Sequence, residues 1–139
     1  MAWMIDTCVL VDVAEADPHF GAASARHLQA KLRQGLLVSP VTYAELAPVF
    51  DGSAQLQDEF LAQAGVGFAE PWLRQDTLAA HQAWSIYVRN RRRRSAPKRP
   101  LADVLIGAMA CRFDGLITRN PDDFRTLFPD LNISQPRAG

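Results

Sequence analysis

Asp6, Glu45, Asp103 and Asp123 are spaced 39, 58 and 20 residues apart, so each must be supplied by a different element. Brought together, their carboxylates make a divalent-metal site. An all-oxygen donor set without thiolate or imidazole selects hard cations, Mg²⁺ or Mn²⁺, over zinc. Mg²⁺ keeps several waters and takes one or two carboxylates plus substrate phosphate oxygens. Bound in this way, such an ion lowers the pKa of a water, aligns it with phosphorus and stabilises the leaving oxygen, which is the chemistry of phosphodiester hydrolysis. His19, His27 and His81 show no ligand spacing and are expected as surface or cap residues. Cys8 and Cys111 stand among apolar neighbours outside any CxxC pattern and are expected as buried, reduced thiols.

The elements that must position these acids are legible in outline. Trp3-Met4-Ile5 reads as a first strand, placing Asp6 at its carboxyl edge, where open parallel sheets bind ligands. Val11 to Ala16 suits a short helical turn that Asp17-Pro18 breaks. Ala22 to Gln34 predicts a helix with Ala25, Leu28 and Leu32 on one stripe and Gly35 closing it. Leu36-Leu37-Val38 is strand-like, and Ser39-Pro40 then starts a helix from Val41 to Phe50 that carries Glu45. A helix starting at Ser53 or Gly52 and running to about Ala64, and a weak strand at Gly65 to Phe68, come next. From Trp72 to about Arg91 the pattern is helical, with Leu73, Leu78, Trp84 and Val88 as core positions. The large aromatics in general are expected to fill cores.

Pro100 precedes the helical stretch Leu101 to Phe113, whose first-turn amides favour an ionised Asp103. Gly115 to Thr118 is a buried-strand pattern, and Arg119-Asn120-Pro121 turns the chain before Asp122 and Asp123. Leu131-Asn132-Ile133 suits a last edge strand, followed by a tail expected to be disordered from about residue 134. Strands alternating with helices argue for βαβ units and a parallel sheet. At 139 residues the chain is expected to be one domain, burying roughly 68% of its unfolded surface.

The formal net charge is zero, but the signs are segregated. Arg89, Arg91, Arg92, Arg93, Arg94, Lys98 and Arg99 form a strip with no acid among them, leaving 8 bases against 15 acids, or −7, elsewhere. A basic strip beside an acidic remainder suits a polyanion on one side and cations on the other. Ser95 to Pro100, with two prolines, is expected as a basic loop. With no secretory leader pattern and no apolar run of about 18 residues, the expected location is cytoplasmic.

Met4-Ile5-Asp6-Thr7-Cys8-Val9-Leu10-Val11-Asp12, the Glu45 helix, Leu101-Ala102-Asp103-Val104-Leu105-Ile106-Gly107-Ala108 and Leu116-Ile117-Thr118-Arg119-Asn120-Pro121-Asp122-Asp123-Phe124, in this order, together resemble a PIN domain of the VapC toxin type. The resemblance implies a three-layer α/β sandwich with a mainly parallel central sheet. It also implies a Mg²⁺- or Mn²⁺-dependent endoribonuclease, usually a homodimer, paired with a VapB-like antitoxin protein. By motif match, Asp6, Glu45 and Asp103 correspond to the most regular metal-site acids. Asp123 is taken as the fourth, with Asp122 an adjacent competitor, Asn120 at a position the family uses, and Thr7 and Thr118 as supporting hydroxyls. Cys8 departs from the asparagine more usual there. The role of the 89–99 strip in gripping RNA is inferred from charge.

Two other function classes are weighed against this reading. A catalytically silent RNA-binding or regulatory module with the same fold would lack Mg²⁺-dependent product formation. A small-molecule phosphatase or phospho-receiver also places Asp after a first strand. The former needs a second Asp two residues on, where Cys8 stands, and the latter a well-placed lysine, whereas only Lys31 and Lys98 are present.

Overall fold

The computed structural model of the chain describes residues 1–91 and 100–137. Five short strands, β1 (Trp3–Ile5), β2 (Leu36–Leu37), β3 (Val66–Gly67), β4 (Gly115–Ile117) and β5 (Ile133–Ser134), form one sheet in the order β3-β2-β1-β4-β5. All pairings are parallel, with Met4 opposite Leu37 on one side and Leu116 on the other. Seven helices flank the sheet among the described residues: α1 (Thr7–Ala14), α2 (Gly21–Lys31), α3 (Pro40–Glu45), α4 (Ala54–Gln63), α5 (Arg74–Arg91), α6 (Leu101–Ala110) and α7 (Pro121–Leu127).

Strand side chains alternate between two cores, as the twofold pleat requires. Ile5, Leu36, Val38 and Ile117 pack with Val9 and Leu10 of α1, Leu28 of α2 and Leu61 of α4. Met4, Leu37 and Leu116 face the other way, onto Ile106 and Met109 of α6 and Phe124 of α7. Burial on both faces explains why the strands read as unbroken apolar runs. The result is the expected three-layer α/β sandwich. Strand order reverses between β1 and β4, and the carboxyl-edge crevice of such a sheet opens at that switch point.

Several local expectations are corrected. Helix α1 begins at Thr7, not Val11, because Asp6 caps it: its carboxylate accepts the Thr7 N–H at 2.8 Å. Helix α3 starts as expected, with Ser39 Oγ accepting the Thr42 N–H, but ends at Glu45. Pro48 has no N–H to extend the ladder, and Ala47–Phe50 continues as a 3₁₀ turn. In α2 the buried stripe is Gly21, Ser24 and Leu28 rather than Ala25, Leu28 and Leu32, the last turn having tightened to a 3₁₀ segment at Leu32–Gln34.

Leu73, just before α5, and Leu78 within it are exposed, and Trp84 and Val88 are only half-buried. The face turned inward is Asp76, Ala80 and Ala83, spaced four and three residues apart, with both alanines against Val104 and Ala108 of α6. Small side chains permit the close α5–α6 approach, and the leucines fall on the outer side. Phe68 is also exposed, and Cys111 lies exposed at the carboxyl end of α6 where a buried thiol was expected; Cys8 is half-buried. Ser134 belongs to β5, Pro136 is buried, and residues 138–139 of the expected tail lie outside the described residues. Among the described residues no helix is long and apolar enough to cross a membrane.

Candidate metal centre

The end of β1 delivers Asp6 into the switch-point crevice, almost completely buried. Three neutral donors hold its carboxylate. Oδ1 accepts the Thr7 N–H, and Oδ2 accepts the Thr118 hydroxyl at 2.7 Å and the Cys8 thiol at 3.3 Å. Thr118 comes from the end of β4, adjacent to β1, so the hydroxyl expected to support the site reaches Asp6 by the sheet's own register. Its Oγ1 also accepts the Asn120 N–H at 3.0 Å, which shapes the turn after β4.

Thr7 is the link to Glu45. Its hydroxyl donates to Glu45 Oε1 at 2.6 Å and lies 3.0 Å from the Thr42 hydroxyl on α3. The termination of α3 therefore matters, since it leaves Glu45, exposed, on the last helical residue beside the start of α1. Burial raises the Asp6 pKa above the usual carboxylate value, and the Glu45 charge raises it further, against the lowering effect of the hydrogen bonds. Burial and the Asp6 charge push the Cys8 thiol up to about 12, so it stands as a protonated donor.

The remaining acids lie on neighbouring elements. Asp103, half-buried, is in the first turn of α6, which packs on α3. Asp122 and Asp123 are exposed in the first turn of α7. Asp122 lies 3.6 Å from the Arg125 guanidinium of its own helix. Both line a surface depression with Arg119, Asn120, Pro121, Arg125 and Gln135. Asn120 Nδ2 approaches the Cys8 sulfur at 3.9 Å. Among the described residues no three acids, histidines or cysteines gather closely enough to enclose a cation.

The donors present nevertheless suit a hard divalent ion. Asp6 and Glu45 are two carboxylates joined through one residue, Thr7, whose N–H binds Asp6 and whose hydroxyl binds Glu45, and every hydrogen bond to Asp6 comes from a neutral group. Asp6 Oδ1 and Glu45 Oε1 each accept one hydrogen bond and keep a second lone pair, whereas Asp6 Oδ2 already accepts two. Mg²⁺ needs only one or two carboxylates, with water and phosphate oxygens completing its shell. Asp6 and Glu45 are the pair of acids that the structure brings together for such an ion.

Asp12 and Arg119 carried no role in the reading of the sequence, yet they form a bidentate ion pair whose aspartate is buried. The only sequence signal was a second acid six residues after Asp6 and a lone arginine after the β4 threonine. Of the basic strip, Arg89 is exposed near the end of α5 and Arg91 ends that helix; Arg92, Arg93, Arg94, Lys98 and Arg99 lie outside the described residues.

A sequence model of the PIN domain matches residues 3–127. No curated protein sequence matches the chain. Among solved structures, VapBC-1 from nontypeable Haemophilus influenzae is similar at 22% identity and a TM-score of 0.66, covering 97% of this chain and 98% of its own. VapBC2 from Rickettsia felis, bound to a DNA fragment from its promoter, is similar at 15% identity and a TM-score of 0.64, with the same coverage.

Proposed function

The chain belongs to the PIN-domain family, and from that premise we propose that it is a metal-dependent endoribonuclease, the toxin of a VapBC-type pair. The observation that carries the reading is the buried Asp6 carboxylate, joined through Thr7 to Glu45 and held only by neutral donors at the switch point of the sheet. Two acids kept at this edge without a cationic partner in their hydrogen bonds suit chemistry that imports its cation.

Mg²⁺ or Mn²⁺, when bound, supplies an activated water and charge stabilisation at the scissile phosphate. The protein's own groups do the positioning. Thr118 and the Thr7 N–H fix the Asp6 carboxylate, and the Thr7 hydroxyl fixes Glu45. Asp103 and Asp123, in the first turns of α6 and α7, are assigned to the same cation, with Asn120 and Asp122 in support. The 89–99 strip contacts RNA phosphates. A VapB-like antitoxin protein and a second copy of the chain are the expected partners, consistent with the VapBC complexes that share the fold.

The test is incubation of purified protein with total RNA, with and without Mg²⁺, beside Asp6→Asn. Mg²⁺-dependent products from the wild type and none from the variant are expected. RNA binding with no Mg²⁺-dependent product would favour the second reading, a silent RNA-binding module. That alternative draws on the acids not being gathered into a cation cage among the described residues.

A further inference from the structure

We propose that Asp12 is a positioning residue which keeps the Arg119 guanidinium away from Asp6 and Glu45, reserving those acids for an incoming divalent cation. The proposal rests on the metal-site reading above and deepens it.

Three consecutive residues leaving β4 each reach α1 or its cap. Thr118 donates to Asp6, Asn120 approaches Cys8, and Arg119, between them, turns instead to Asp12. Because Asp6 caps the helix and Asp12 lies six residues on, the guanidinium is held about 9 Å further along the axis at 1.5 Å per residue. Its shorter neighbours span to the Asp6 end, so the arginine has the length to do the same.

What holds it back is well defined. Arg119 donates Nε and Nη2 to the two Asp12 oxygens, the second at 3.1 Å, and its guanidinium carbon lies 4.2 Å from the Phe20 ring centroid. Ser24 Oγ donates to Asp12 Oδ2 at 3.2 Å, fixing the aspartate from α2. The other nearby acid, Asp17, accepts the His19 and Phe20 N–H groups through one oxygen, Oδ1, and also attracts Arg119. With Asp12 neutral, the arginine is left to Asp17, a single solvent-screened charge, or to the two charges of the Asp6–Glu45 pair, where it would occupy the place of the cation. A purely structural ion pair makes a different forecast, since removing either partner, or both, would then disturb the turn alike.

The test is Mn²⁺ affinity by calorimetry on the full chain, with thermal melts to verify folding, in four proteins: wild type, Asp12→Asn, Asp12→Asn/Arg119→Gln and Asp12→Asn/Arg119→Lys. Asp12→Asn is expected to bind at least about tenfold more weakly, the low end of the losses seen when groups supporting metal ligands are removed. The Gln double variant is expected to recover to within about threefold of wild type, and the Lys double variant to stay weak. Equal affinities in the two double variants, or an Asp12→Asn protein that binds like wild type, overturn the proposal. If Asp12→Asn does not fold, the Gln–Lys comparison decides alone, because those variants differ in one charge at the same place. No Mn²⁺ binding by folded wild type overturns the metal-site reading itself, and this inference with it.

Discussion

At the scale of single residues, Asp6 sets function against stability. Its pKa is raised chiefly by burial, so the ionised form is less favourable in the folded protein than in the unfolded chain. A carboxyl shifted upward contributes stability below its unfolded value of 3.8 and loses it as pH rises through the folded value. In metal-free protein, Asp6→Asn is therefore expected to raise Tm at neutral pH and to leave it unchanged below pH 3.8, as calorimetric melts at both pH values would record. Asparagine also caps helices well, so α1 keeps its start. Cleavage should fall at least about 10²-fold in the same variant, the scale of losing one group that stabilises developing charge. Saturating Mg²⁺ should raise the wild-type Tm, by an amount equivalent to about 2.7 kcal/mol at a hundred times Kd, and should do much less for the variant. Removal of the ion with EDTA should reverse that gain.

At the scale of elements, the site depends on how firmly α5 and α6 are held beneath it. Asp76, 1% exposed, accepts the Leu73 N–H at the start of α5 and two hydrogen bonds from Arg112, which also donates to the Pro71 carbonyl. Arg112→Met leaves that buried carboxylate without its cation and is expected to destabilise by about 3–5 kcal/mol in urea unfolding. Gly107 marks the tightest approach on α6, since a Cβ there would lie 2.5 Å from a Phe128 ring carbon. Gly107→Ala should cost about 1–3 kcal/mol by overpacking, despite the better helix propensity of alanine. Both losses are measurable as shifts in the denaturant midpoint at constant m-value.

Across the whole molecule, the proposed function divides the segregated charges of the sequence into acids for the cation and a basic strip for the polymer. Each phosphate neutralised on a single strand contributes a slope of about −0.7 to log K against log salt. Replacing Arg91 to Arg94 by glutamine should flatten the salt dependence of RNA binding by that amount for every phosphate no longer neutralised. An unchanged slope in a filter-binding titration would place the phosphate-binding groups elsewhere. The same variant should melt like wild type if the strip serves only binding.

The sequence by itself determined the alternation of strands and helices, the place of Asp6 after the first strand and the Ser39-Pro40 start of the Glu45 helix, because apolar period, cap chemistry and proline geometry are local. It also carried the parallel sheet, since short apolar runs alternating with helices argue for βαβ units, while the three-layer sandwich was implied by the family resemblance. It misplaced the inner face of α5, where alanines rather than leucines make the contacts, and part of that of α2, where Gly21 and Ser24 join Leu28, because helix stripes are chosen by which neighbour must come close. Only the tertiary structure joined Thr7 to Glu45, Thr118 to Asp6 and Arg119 to Asp12, pairs separated by 38, 112 and 107 residues. Pairings at such separations are decided by strand order and helix termination, and neither leaves a periodic trace in the chain.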